Sequence, residues 1–117
     1  MRLVVLIIGL FLGCATAKAQ EAALSSKAHS EGQIVNDLRQ GQWNTFDSTG
    51  HLISTATYVN GKLNGDYIEY SSYTAQPIVE GQYINNQKVG KWFYYNSTTA
   101  FVDKILIYRN GVIIKKA

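Results

Sequence analysis

The chain alternates between short segments rich in Tyr, Ile, Val, Thr and Trp and short polar segments rich in Asn, Gly, Asp and Ser. β-Branched and aromatic residues at short, regular spacing are typical of β-strands, and the polar segments are typical of turns. No stretch after Ser30 shows a helical period of apolar residues. The pattern therefore predicts a run of antiparallel hairpins. The predicted strands are residues 43–46, 51–59, 67–70, 78–84, 92–95, 104–108 and 112–114.

These segments form a repeat. EGQIVNDLRQGQW at residues 31–43 returns forty-nine residues later as EGQYINNQKVGKW, with Glu, Gly, Gln, Asn, Gly and Trp in the same places. A glycine two residues before an aromatic residue recurs at the same place in three units, and a Tyr-x-Asn sequence follows it in each unit. The repeated positions are Gly41, Gly65 and Gly90, then Trp43, Tyr67 and Trp92, and then Tyr58, Tyr83 and Tyr108. Sequence periods of this length indicate stacked supersecondary units. The chain therefore has three units and a leading half unit at residues 32–36.

Turn residues mark both ends of the predicted hairpins. Two-residue type I′ turns need positive φ at both positions, which Asn and Gly tolerate. Such turns are predicted at Asn60-Gly61 and Asn110-Gly111, and with more strain at Asn85-Asn86 and Asn36-Asp37. Gly41, Gly65 and Gly90 are also assigned to turns. The other hairpin ends, at residues 47–50, 73–77 and 96–99, differ from unit to unit, and the one-residue difference in unit length lies there.

The stretches ATYVNGKLNGDYIEY and EGQYINNQKVGKWFYY resemble MORN repeats (membrane occupation and recognition nexus), and more closely the bacterial variant found in YwqK-type antitoxin proteins. The resemblance extends from Glu31 to about Gly111. It implies an all-β fold in which about three and a half hairpin repeats stack into a single-layer, twisted antiparallel sheet. The chain departs from the family pattern where Gly is usual, at Asp37 and Asn86, and where Lys is frequent, at Leu38, Gln87 and Val112.

Stacked units would place the repeated aromatic residues in two ladders, one of Trp43, Tyr67 and Trp92 and one of Tyr58, Tyr83 and Tyr108. One interpretation is structural: the rings cover the backbone of a sheet without a second layer, and glycine gives them room. The other is functional, because exposed flat rings can stack on sugars or anchor a protein interface. These six residues are the candidate binding residues.

The first nineteen residues have the three parts of a secretory signal peptide: a basic start, an apolar run at residues 3–12 and a small-residue cleavage site at 17–19. The run is too short for a transmembrane helix, which needs about 20 apolar residues. We therefore expect a signal peptide at 1–19, a disordered lead-in at 20–30 and one repeat domain at 31–117. Cys14 follows a sequence that resembles a bacterial lipobox, so the alternative is a lipoprotein acylated at Cys14 and anchored in the membrane.

The composition argues against several classes of function. Loss of residues 1–19 removes Arg2 and Lys18, and the formal charge then falls from +3 to +1 with no basic cluster of the kind that nucleic-acid binding needs. The single cysteine excludes an intramolecular disulfide and a Cys-based metal site. The two histidines, His29 and His51, lack metal-ligand spacing, and no serine lies in a G-x-S-x-G sequence. We expect neither an enzyme nor a cofactor.

Three functional hypotheses remain. The first is an exported, non-catalytic module that binds another protein in the periplasm, in the envelope or outside the cell. The resemblance implies the second, an antitoxin or immunity protein that neutralises a partner toxin. The third is a binder of envelope lipid or glycan through the aromatic ladders. Because an open sheet leaves its terminal strands unpaired, self-association through a sheet edge is a further expectation.

Overall fold

The computed structural model describes residues 27–117, and in this part of the chain it contains eight strands and no helix. All eight belong to one antiparallel sheet in which each strand pairs only with its neighbours in sequence. The strands are β1 (His29–Val35), β2 (Leu38–Phe46), β3 (Leu52–Val59), β4 (Lys62–Tyr70), β5 (Pro77–Ile84), β6 (Gln87–Tyr95), β7 (Val102–Arg109) and β8 (Val112–Lys116). The predicted fold class is confirmed.

The sheet is a single layer, with principal extents of 63 × 37 × 13 Å. Among the described residues, the buried apolar side chains are Trp43, Ala56, Trp92 and Leu106. Trp43 lies opposite Ala56, and Trp92 lies opposite Leu106, so all four line the same face. Within residues 27–117 no second layer covers either face, and the units are therefore stabilised by packing against their neighbours in the array.

The four predicted type I′ turns are present. Both residues of each turn have positive φ, from 51° and 63° at Asn36-Asp37 to 50° and 81° at Asn110-Gly111. Successive turns are also joined, because the second turn residue donates its N–H to the preceding hairpin: Gly61 to the Arg39 carbonyl, Asn86 to Leu63 and Gly111 to Lys88, at 2.9–3.0 Å. Asn86 makes a second link, since its Oδ1 accepts the Leu63 N–H at 2.7 Å.

The loops at the other end of the sheet each close around one polar side chain. Asp47 Oδ1 accepts hydrogen bonds from the Thr49 hydroxyl at 2.7 Å and from the Thr49 and His51 N–H groups at 2.9 and 3.0 Å. These bonds, that from the Thr49 hydroxyl above all, lower the pKa of Asp47 to about 2. Ser71 Oγ and Asn96 Oδ1 have the same role in the next two loops. The first loop is one residue shorter than these two, as predicted.

Several strand boundaries differ from the prediction. Gly41, Gly65 and Gly90 do not lie in turns but inside β2, β4 and β6, which begin several residues earlier than predicted. They have φ of 76°, 128° and 70° and lie at irregularities where two extra residues enter the pairing with the preceding strand. β1 begins at His29, inside the predicted lead-in. The predicted signal peptide and its alternative, a lipoprotein acylated at Cys14, fall outside the described residues. In the described part, no helix long and apolar enough to cross a membrane is found.

Candidate functional site

The six ladder residues lie on one face of the sheet, which we call the ladder face. Rings of the two predicted ladders contact one another, in one pair that joins β2 to β3 and one cluster of four rings farther along the sheet. Edge-on contacts join Trp43 to Tyr58, Tyr67 to Tyr83, Tyr83 to Trp92, and Trp92 to Tyr108, with ring centroids 5.1–6.3 Å apart. Tyr67 also contacts Trp92 directly at 5.8 Å. Such edge-on pairs add stabilisation beyond the burial of apolar area.

Both indoles lie across a glycine of the preceding strand. A Cβ atom added to Gly32 would overlap the ring of Trp43, and one added to Gly81 would overlap the ring of Trp92. The two indole Nε1–H groups donate to backbone carbonyls next to these glycines, Gln33 O and Gln82 O, each at 3.2 Å. The structural interpretation of the ladders, in which glycine lets a ring cover the neighbouring backbone, therefore holds at both tryptophans.

Two cations that the sequence reasoning missed cover the outer side of the indoles. The Arg39 guanidinium carbon lies 4.1 Å from the Trp43 ring centroid and 5.3 Å from that of Tyr58. Lys88 Nζ lies 4.6 Å from the Trp92 centroid and 5.1 Å from that of Tyr108. Both geometries are those of cation–π interactions. The signal in the sequence was the identical spacing of cation and Trp in the doubled phrase.

The second unit has different residues at the positions of the glycine, the tryptophan and the cation. Where the outer units have Gly, Trp and a cation, the second unit has Ala56, Tyr67 and Leu63. The pairing shows that these positions are equivalent. Ala56 lies directly opposite Tyr67, and Leu63 pairs with Tyr58 as Lys88 pairs with Tyr83. The smaller ring is matched by the larger residue beneath it. Units of two types therefore alternate, which explains why the long phrase returns after two units rather than after one.

The accessibility of the ladder residues separates the tryptophans from the tyrosines. Trp92 is 1 % exposed and Trp43 is 8 % exposed, so neither indole offers a free ring face to a ligand. Tyr58, Tyr67, Tyr83 and Tyr108 are partly exposed and form the outer surface of this face together with Arg39 and Lys88. A ligand stacking on the ladder face would therefore contact tyrosines and cations first.

Three phenols of the ladder face, those of Tyr67, Tyr83 and Tyr94, resist ionisation. Burial raises the pKa of Tyr67, and its hydrogen bond to Glu69 Oε2 at 2.9 Å raises it further. Burial also raises the pKa of Tyr83 and of Tyr94, the latter with help from the Tyr108 hydroxyl. On the opposite face, Tyr95 donates to the Glu80 carboxylate, and this bond raises the pKa of Tyr95 to about 12. A phenolate at any of these positions is disfavoured in the native sheet.

We expect alkaline pH to unfold the domain. The ordinary pKa of these phenols is 10.0, and their pKa in the native sheet is higher. Above pH 10 the unfolded chain therefore loses protons that the native sheet retains, so the stabilisation present below that pH is lost as pH rises through the native pKa values. Urea unfolding followed at rising pH should show a falling midpoint, and Tyr67→Phe should weaken this dependence. Ionisation of every tyrosine near pH 10 with no loss of stability would contradict it.

A second surface lies on the opposite face, along the end that carries the type I′ turns. Val59 and Ile84 follow Tyr58 and Tyr83 in sequence, so their side chains point away from the ladder face. Val35 takes the same place in β1, and it pairs with Leu38 as Arg109 pairs with Val112. Five apolar side chains, 42–64 % exposed, thus line this end of the sheet: Val35, Leu38, Val59, Ile84 and Val112. We call this set the apolar rim.

Polar chemistry in the described part of the chain is sparse. No group of three or more His, Cys, Asp or Glu side chains that could hold a metal ion occurs within residues 27–117. A small open pocket of about 190 Å³ lies at the loop end, between His51, Leu52, Tyr70, Ser71, Ser72 and Ala75. The Ser71 hydroxyl is already used, since it accepts N–H groups of its own loop.

Comparison with known proteins adds nothing to the resemblance to MORN repeats, which rests on the sequence motifs alone. No protein-family model matches the chain, and none of the curated proteins matches it either.

Proposed function

We propose that this protein is an exported, non-catalytic module that binds a partner protein in the cell envelope or outside the cell, through the apolar rim. The observation that carries the proposal is the rim itself: Val35, Leu38, Val59, Ile84 and Val112 are all well exposed on one face at one end of the sheet. Apolar residues gathered on an exposed surface are typical of interaction sites rather than of free monomer surface. The export is taken from the signal-peptide pattern at residues 1–19.

The chemistry of the rim favours a protein partner. Its side chains are aliphatic, and the polar groups among them are Lys62, Gln87 and Arg109, which occupy the remaining flanking positions of the same turns. An aliphatic centre with a polar surround is the usual composition of a protein interface. The turns that carry the rim are linked to one another by backbone hydrogen bonds, so the surface is held in place before it meets a partner.

A glycan-binding ladder is the less favoured candidate. Sugar recognition by aromatic stacking needs an accessible ring face, whereas both indoles are covered by cations and tyrosines. Nothing in the described residues favours toxin neutralisation over other protein binding. We therefore keep the antitoxin hypothesis as one special case of the proposed function.

Photo-crosslinking in fractionated cells tests the proposal. A photoreactive amino acid at Ile84, on the rim, is compared with the same amino acid at Ser97, exposed at the loop end. We expect Ile84 to give a discrete adduct with a different protein in the periplasmic, envelope or secreted fraction, and Val59→Asp to reduce its yield about tenfold, as for a central contact. An equal adduct from Ser97, an adduct with lipid or glycan only, or retention of the chain in the cytoplasm would overturn the proposal.

A further inference from the structure

The two terminal strands leave both edges of the sheet open. β1 pairs only with β2, and β8 pairs only with β7, so one side of each strand has no backbone partner within the described part of the chain. Every residue of β1 and of β8 is exposed. Unpaired strand edges of this kind can bind a further strand by backbone hydrogen bonding.

The two edges are complementary in repeat phase. β1 has the place of β3, β5 and β7 in the unit, because Ile34 pairs with Arg39 as Tyr58 pairs with Leu63 and Tyr83 with Lys88. β8 has the place of β2, β4 and β6, because Tyr108 pairs with Ile113 in the same way. A strand of the β8 type followed by one of the β1 type is the junction that the sheet already contains three times, at β2–β3, β4–β5 and β6–β7.

From these phases we infer that the chain associates head to tail, with β8 of one copy pairing antiparallel with β1 of the next. The internal register fixes the contact. Lys91 pairs with Ile107 and Gly90 with Tyr108 at the β6–β7 junction. The irregularity in β8 has one residue fewer than that in β6, because Ala117 bonds to Ile105 where Phe93 pairs with Glu80. The equivalent pairs between copies are therefore Lys115 with Gln33 and Ile114 with Ile34. These two isoleucines are 50 % and 54 % exposed in the single chain, and the junction would bring them together.

Charge selects this junction over the symmetric one. β8 carries Lys115 and Lys116, whereas the only carboxylate on β1 is Glu31. Pairing β8 with β8 would join two strands that each carry two lysines and no carboxylate, and lysines on an edge strand normally prevent such association. Pairing β8 with β1 instead places Lys115 diagonally across from Glu31 of the next copy on the same face, because Lys115 falls opposite Gln33 and Glu31 lies two residues before Gln33. The contact is heterologous and does not close on itself, so it builds chains of copies.

This inference uses the sheet edges and does not rest on the apolar rim, so the two can fail separately. Disulfide trapping tests it, in full-length chains that carry Cys14→Ser because Cys14 is the only native cysteine. Ile34→Cys and Ile114→Cys are made in separate chains and mixed under oxidising conditions. We expect the mixed disulfide dimer to exceed both homodimers, because Cα atoms of directly opposed strand residues are about 4.5–5.5 Å apart, within disulfide reach.

The matched control shifts the register by two residues. Lys116→Cys mixed with Ile34→Cys should crosslink several-fold less than the Ile114→Cys pair, because diagonal neighbours on paired strands are about 7–8 Å apart. Sedimentation of the native chain should show mass rising with concentration. Lys115→Glu with Lys116→Glu should raise the dissociation constant about tenfold, and adding Glu31→Lys should restore it.

Three results would overturn the inference: a native chain that is monomeric at every concentration, an excess of the Ile114→Cys homodimer, or equal crosslinking in both registers. The residues substituted in β1 and β8 are all exposed, and an unchanged circular dichroism spectrum confirms that each variant still forms the sheet. A chain that associates this way but gives no rim adduct at Ile84 would retain this inference and lose the proposed function.

Discussion

Trp92→Ala is expected to abolish cooperative folding of the domain. Trp92 is the one fully buried large side chain among residues 27–117, and its ring contacts Tyr67, Tyr83 and Tyr108 from three other strands. Removing a buried tryptophan costs roughly 3–5 kcal/mol. A small domain is stable by only about 5–15 kcal/mol in total. A single-layer sheet has no second core to compensate, so far-ultraviolet circular dichroism should show a broad, early urea transition.

Trp43→Ala provides the matched control. Trp43 makes the same contacts with its glycine and its cation, but among aromatic rings it contacts only Tyr58. It also lies in the unit next to the sheet edge, where a repeat array can fray without losing its other units. We expect a loss of about 2–3 kcal/mol and a transition that stays cooperative. An equal or larger effect at Trp43 would show that the ladder is not centred on Trp92.

The type I′ turns were predictable because their cause is local. A dipeptide such as Asn60-Gly61 tolerates positive φ in any context, and the structure has that conformation. The strain expected at Asn85-Asn86 was harder to judge, since the compensating bond from the Leu63 N–H to Asn86 Oδ1 joins two different hairpins. A partner twenty-three residues away in the chain is visible only when the strand register is known.

The extent of the even-numbered strands was not predictable for a related reason. Gly41, Gly65 and Gly90 have positive φ, as turn glycines do. Each nevertheless pairs with a tyrosine of the following strand, so the strand continues through the irregularity. Glycine in a strand marks a bulge or a turn with equal ease. The sequence indicated positive φ at these glycines, but it did not show the strand pairing that distinguishes a bulge from a turn.

The ladder face was predictable in part. Its six aromatic residues follow from the period, but the covering cations and the alternation of unit types do not. The alternation depends on which residue of β1, β3 or β5 lies beneath each ring, and bulges shift that register. The cations keep a fixed spacing to the tryptophans, but their contact with the rings is visible only in the folded sheet. The apolar rim was missed because its members are ordinary strand residues by type. These residues are exposed because they lie at the turn end of the sheet, on a face that no other described residues cover.

The alternation of unit types predicts that two damaging substitutions should partly cancel. Gly81→Ala pushes a Cβ into the Trp92 ring and should cost about 1–3 kcal/mol as overpacking. Trp92→Tyr leaves space above Gly81 and should cost a similar amount, roughly 1–3 kcal/mol. Together they recreate the Ala56–Tyr67 pair of the second unit. We expect the double variant to be more stable than the sum of the single effects by about 1–2 kcal/mol in a urea double-mutant cycle.

Gly41→Ala separates this packing effect from backbone strain. Gly41 has φ of 76° and no atom within 4 Å of an added Cβ, so its substitution costs conformational strain alone, about 1–2 kcal/mol. Because Gly41 lies two units from Trp92, its effect should add to that of Trp92→Tyr without coupling. If Gly81→Ala were equally additive with Trp92→Tyr, the indole would not be seated on the glycine. The pairing of Gly with Trp and Ala with Tyr would then be coincidence rather than the rule by which the units stack.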